Sequence, residues 1–236
     1  MRTETRHALK QDKFRQATAG SVSWVSDHRS GVLRWVITGA VVLVLVVGGL
    51  VAWSLRSSAA ENALGAALDT YSSQLATPGA PPQQGTYSTA ADRSKAANQQ
   101  FVAVANQYSL LPEAAKAHYF AGVTYQELGQ NGSAESELKT ASGAWDKNVA
   151  NLAKVALAGL YHQTGRDPQA IDLYNQIIAK PSVTVSAPVA QLDLADLYAA
   201  EGKQDQARAL WAKIKDADKD GMAGSIASQK LTGKQQ

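Results

Sequence analysis

Between Arg34 and Arg56 the chain runs for 21 residues, WVITGAVVLVLVVGGLVAWSL, without one charged side chain. No other feature constrains the fold as strongly. About 20 apolar residues wound as a helix span a hydrocarbon core ~30 Å thick. No water reaches the backbone there, so a lone span must satisfy its own hydrogen bonds as a helix. Residues 33–55 are therefore read as a transmembrane helix. Trp35 and Trp53 fall near its two ends, where amphipathic rings prefer the headgroup level, and Arg34 and Arg56 flank them at the membrane interface. A cleaved signal peptide has a short leader and an apolar stretch of about 7–15 residues. Here 34 residues precede a run of 21. The anchor reading stands, although Ser58-Ala59-Ala60 offers a small-residue cleavage site.

Charge sets the orientation. The first 34 residues carry seven Lys/Arg (Arg2, Arg6, Lys10, Lys13, Arg15, Arg29, Arg34) against three acids, Glu4, Asp12 and Asp27. The positive-inside rule puts the N-terminus in the cytoplasm and residues 57–236 across the membrane. Residues 1–32 form a basic cytoplasmic tail. Leu9, Phe14, Ala17, Val22, Trp24 and Val25, with Lys10, Lys13 and Arg15 between them, read as an amphipathic helix at the membrane surface or as a disordered tail. Setting the first 34 residues aside from totals of 23 Lys/Arg and 20 Asp/Glu leaves 16 against 17. The exported part is near neutral, which gives no footing for nucleic acid. There is no cysteine, so disulfides, thiol catalysis and thiolate metal sites are excluded.

The exported part repeats itself. Phe120–Gly129 (FAGVTYQELG), Ala156–Gly165 (ALAGLYHQTG) and Asp193–Gly202 (DLADLYAAEG) align without gaps. A small residue (Gly122, Ala158, Ala195) precedes a tyrosine (Tyr125, Tyr161, Tyr198) by three positions, and a glycine (Gly129, Gly165, Gly202) follows four later. Next come an alanine (Ala134, Ala170, Ala207), a large residue (Leu138, Tyr174, Trp211) and a smaller one (Ala141, Ile177, Ile214), with a period of 36 and then 37 residues. The glycines sit where a helix end needs a left-handed residue. Small residues allow close helix approach, and large ones fill the space between. Such hairpins cannot bury their faces alone and must stack.

This spacing resembles the tetratricopeptide repeat. The resemblance covers residues 115–216 and departs from the family pattern in lacking a first-position Trp and in having its helix-breaking Pro only once, at Pro181. It implies an all-α chain: an N-terminal transmembrane helix followed by an α-solenoid of stacked hairpins. Residues 56–114 read as a degenerate first repeat, with helices over Ala59–Tyr71 and Arg93–Leu110 separated by a Pro-rich loop, 77–89. Residues 217–236 supply a capping helix, about Ala223–Leu231, and a frayed tail.

Catalytic patterns do not assemble. His118 and His162 lie in different units, with no partner at helical spacing that would make a metal pair. No phosphate loop, nucleophile elbow or HExxH run occurs. Asp216-Ala-Asp-Lys-Asp-Gly221 matches the start of a calcium loop, but Ala227 stands where the bidentate Glu belongs, so a polar turn is expected. Asn131-Gly132-Ser133 fits both a glycosylation acceptor and an inter-helix turn, and the turn is expected. The chain is thus read as a non-enzyme, with no cofactor, metal or small-molecule substrate.

What remains is a protein-binding groove lined by first helices. The register places in it Lys116, Tyr119, Val123, Gln126 and Glu127; Leu152, Val155, His162 and Gln163; and Val189, Leu192 and Asp196. This set lacks the Lys/Asn cluster of carboxylate-clamp domains and suits apolar, sequence-tolerant contact. The layout of basic tail, single span and repeat domain resembles the bacterial membrane proteins typified by the ancillary subunit of the Sec translocon. That resemblance implies the inner membrane, a periplasmic C-terminal domain, and translocon subunits, periplasmic chaperones or exported clients as partners. A scaffold for another envelope assembly machine is the alternative expectation.

Overall fold

The computed structural model describes residues 29–76 and 85–233. The amphipathic reading of the tail and most of the Pro-rich loop lie outside the described residues. The described chain is helical: α1 (Arg29–Ser72), α2 (Ala90–Gln107), α3 (Pro112–Glu127), α4 (Asn131–Ser142), α5 (Lys147–Gln163), α6 (Asp167–Ala179), α7 (Ala187–Ala200), α8 (Gln204–Ala217) and α9 (Met222–Thr232). It divides into two compact units, Met1–Leu55 and Arg56–Gln236.

Within the first unit, α1 from Leu33 onward is long and apolar enough to cross a membrane, and none of its most apolar stretch is buried. Trp35, Leu43, Val44, Leu45, Leu50 and Trp53 are all exposed. The sequence suggested a separate helix beginning near Ala59, but α1 runs unbroken to Ser72. Its cause is local. No Gly or Pro occurs between Leu50 and Leu64, so nothing interrupts the ladder.

In the second unit consecutive helices from α2 to α9 pack on one another, with additional contacts of α3 with α5 and of α7 with α9. Helix starts follow local chemistry. Thr89 Oγ1 accepts from the Asp92 amide at 3.0 Å while donating to the Asp92 carboxylate at 2.8 Å, a reciprocal cap. The Asp146 carboxylate accepts from the Asn148 amide at 2.8 Å. Helices α3, α6 and α7 carry proline in their first turn, where no amide hydrogen is needed.

The helix ends explain the Tyr-x-x-x-Gly spacing. Gly129, Gly165 and Gly202 have φ of +70°, +72° and +79°. The next residue's amide reaches back to the tyrosine carbonyl: Gln130 to Tyr125 at 2.9 Å, Arg166 to Tyr161 at 2.7 Å, Lys203 to Tyr198 at 2.8 Å. The glycine amides bond to Gln126, His162 and Ala199 carbonyls. This is one Schellman motif made three times. Arg166 and Lys203 then lie over the Tyr161 and Tyr198 rings, 4.3 and 5.7 Å from their centroids, adding cation–π attraction.

Three apolar clusters fill the unit. One joins Ala60, Leu64 and Ala67 of α1 to Ala97, Phe101 and Val104 of α2 and Ala117 and Ala121 of α3. The largest joins Leu138, Leu157, Leu160, Tyr174, Ile177, Leu194 and Leu197. The third holds Leu192, Ala195, Ala207, Trp211 and Ile214 under Ala223 and Ala227 of α9. One polar seam crosses the first cluster. Asn98 donates to the Ala121 carbonyl and to Thr124 Oγ1 at 3.1 and 3.0 Å, so its buried amide is satisfied.

One local expectation is corrected. Asn131-Gly132-Ser133 is the first turn of α4, not the inter-helix turn; the left-handed residue is Gly129, two residues earlier. The Asp216–Gly221 segment closes α8 and opens α9, with Asp218 Oδ2 accepting from the Gly224 amide at 3.1 Å. A Cβ on Gly224 would lie 1.9 Å from the Asp218 carbonyl oxygen, so only glycine fits against this turn.

Candidate binding pocket

The expected groove residues fall into distinct environments. Lys116 is exposed. Tyr119 is half-buried, edge-on to Phe120 with centroids 5.0 Å apart, and burial raises its phenol pKa. Val123 is half-buried. Leu152 and Val155 of α5 lean on the largest cluster together with Tyr119. Gln126 donates to Gln163 Oε1 at 3.5 Å, bringing the ends of α3 and α5 side by side. Glu127 turns away to take the Tyr71 and Ser94 hydroxyls, both at 2.5 Å. Val189 is exposed. Leu192 is enclosed by the third cluster, 7% exposed, and offers nothing to a partner. Helix α9 covers that side of α7, so its placement in the groove is corrected.

His162 and Asp196 do come together. With Gly159 of α5, Tyr174 of α6 and Asp193 and Leu197 of α7, they line an open pocket of about 250 Å³. Helix geometry builds it. Gly159 and His162 stand three apart on α5, and Asp193 and Asp196 three apart on α7, so each pair shares a face. Gly159 contributes no side chain, and a Cβ there would meet nothing within 4 Å. The Tyr174 ring is held by the core, only 8% exposed.

The pocket mixes apolar and polar lining, and its two acids, Asp193 and Asp196, bias it negatively. His162 Nδ1 lies 2.6 Å from Asp167 Oδ1. On the rim, Lys230 Nζ donates to both Asp196 oxygens at 2.9 and 2.8 Å. Asp193 has no hydrogen bond or ion pair among the described residues, and neither does the Tyr174 hydroxyl. Burial, and then the Asp196 charge, raises the Asp193 carboxyl above its ordinary value. Burial, followed by Asp193 and Asp196, pushes the Tyr174 phenol up to about 12. Burial and the neighbouring carboxylates thus both disfavour the charged forms.

Sequence reading missed Tyr174 and Asp193 as pocket residues. Tyr174 stood at a core position of the repeat, and it does fill core. The available signal was the Asp193/Asp196 pair, two acids a single helical turn apart in an otherwise uncharged helix. The other histidine, His118, pairs with Glu137 Oε2 at 2.6 Å across α3 and α4, and among the described residues no His, Asp or Glu group is arranged to hold a metal ion. No protein-family profile, curated protein or solved structure matches this chain significantly.

Proposed function

We propose that this chain is a membrane-anchored, non-enzymatic protein-binding module that assists translocation or folding of exported proteins at the Sec translocon. In this reading α1 crosses the bacterial inner membrane with the N-terminus in the cytoplasm, and Arg56–Gln236 is an α-solenoid of tetratricopeptide-like hairpins in the periplasm. The observation that carries it is the thrice-repeated Tyr-capped hairpin turn, joined to packing between helices adjacent in sequence. Stacks of this kind present extended surfaces for polypeptides. The apolar, wholly exposed stretch of α1 supports the anchor, and a tether raises the local concentration of a weak binder near its target.

Photo-crosslinkers placed at Lys116, Gln126 and Val189 in growing cells test the reading. Adducts to translocon subunits, periplasmic chaperones or nascent exported chains are expected. Adducts only to subunits of a different envelope assembly would make the protein a scaffold instead. Absence of any adduct would sink both.

A further inference from the structure

We propose that the pocket between α5, α6 and α7 takes the guanidinium of an arginine side chain in a bound polypeptide, held by the Asp193 and Asp196 carboxylates and the Tyr174 hydroxyl. This deepens the protein-binding reading above and rests on it.

Four observations point this way. Tyr174 is more than nine-tenths buried, lines the pocket and has no hydrogen-bond partner among the described residues. The core fixes its ring, while its hydroxyl is reached by solvent and is free to bond a ligand. Asp193 likewise has no countercharge among the described residues, and burial, then the Asp196 charge, raises its carboxyl pKa. Of the other polar groups around the pocket, His162 is held by Asp167 and Lys230 by Asp196. Lys230 shows that Asp196 accepts a cationic nitrogen, yet it leaves Asp193 unpaired.

The choice of guanidinium over ammonium follows from geometry and hydration. Two carboxylates one helical turn apart, with a phenol on the opposite wall, present several acceptors at different heights. A planar fork with five N–H donors can meet them together, whereas an ammonium meets fewer. Guanidinium is also more weakly hydrated, so it enters a half-enclosed site at lower cost. A volume of about 250 Å³ accommodates the group and part of its stem, and Leu197 supplies an apolar wall for the methylenes.

The test uses the full chain in mild detergent and a labelled ten-residue Ala/Ser/Leu peptide carrying one central arginine. Companion peptides carry lysine or neutral citrulline at that place. Fluorescence anisotropy is expected to give the arginine peptide roughly tenfold tighter binding than the citrulline peptide, the ratio set by one charge-assisted contact. Asp193→Asn and Tyr174→Phe should each erase most of that preference while leaving helix content unchanged. Tyr174→Phe keeps the ring, so a folding defect in one variant does not spoil the test. Equal binding of the arginine and citrulline peptides, or an arginine preference indifferent to both substitutions, overturns the pocket. An equal preference for lysine overturns the guanidinium assignment. Crosslinks from Lys116 or Gln126 without an arginine preference would leave the protein-binding reading standing and remove only this pocket. The reverse result would keep the pocket and remove that reading.

Discussion

Gly122 and Leu138 interlock: a Cβ built on Gly122 would sit 2.5 Å from Leu138 Cγ and 3.2 Å from the Leu138 amide nitrogen. The small residue of the repeat is thus the floor on which the large residue of the next helix rests. In the other units alanine holds this position, and Ala158 and Ala195 share apolar clusters with Tyr174 and Trp211. Gly122→Ala gains helix propensity but overpacks a core position, for a net loss of about 1–2 kcal/mol. Gly159→Ala, also within a helix but with nothing within 4 Å of its Cβ, should instead gain ~0.5–1 kcal/mol. Thermal melts of the two variants should therefore move in opposite directions.

The Schellman glycines make a second prediction. At φ of +70° to +79°, alanine at Gly129, Gly165 or Gly202 is strained by roughly 1–2 kcal/mol. Each substitution should lower the melting temperature, by about 2–4 °C per kcal/mol for a unit of this size. Three similar shifts are expected, since the three motifs share one geometry.

Asp193 should show a pH-dependent penalty. Its carboxyl binds a proton more tightly in the folded chain than in the unfolded one, so protonation favours folding. That contribution is fully present below the ordinary value of 3.8 and is lost as pH rises through the elevated folded value. Asp193→Asn removes the loss. It should melt higher than the wild type at pH 7, by roughly 1–3 °C, with the gap closing toward pH 4 and below. A gap that widens on acidification would show that Asp193 is satisfied in the folded chain.

Asn98 carries the buried polar seam. Asn98→Ala leaves the Ala121 carbonyl and Thr124 hydroxyl without their shared donor, at a cost of about 1–3 kcal/mol. Asn98→Asp should be worse, because it replaces the donor with a carboxylate in a buried place. Chemical denaturation would rank the three chains as wild type, Asn98→Ala, Asn98→Asp.

What was legible in the sequence was local. Tyr125-to-Gly129 spacing encodes a helix end within five residues, and the uncharged run encodes its own helix. The turn after Gly129 was misjudged because Asn131-Gly132 also suits a turn, and only the positive φ at Gly129 decides between them. Leu192 was placed in the groove because its register matched, but α9, remote in sequence, covers it. The pocket was not legible for the same reason. Gly159, Tyr174 and Asp193 come from three helices, and nothing in the spacing within any one of them announces that their faces meet. Asp193 without its neighbours reads as an exposed acid.

The central claim is that a membrane-held helical surface serves exported polypeptides. Mass spectrometry of complexes purified in mild detergent, with α1 intact, tests it most directly. The account predicts translocon subunits together with many exported chains at low, variable stoichiometry. A few partners from another envelope machine at fixed stoichiometry would contradict it.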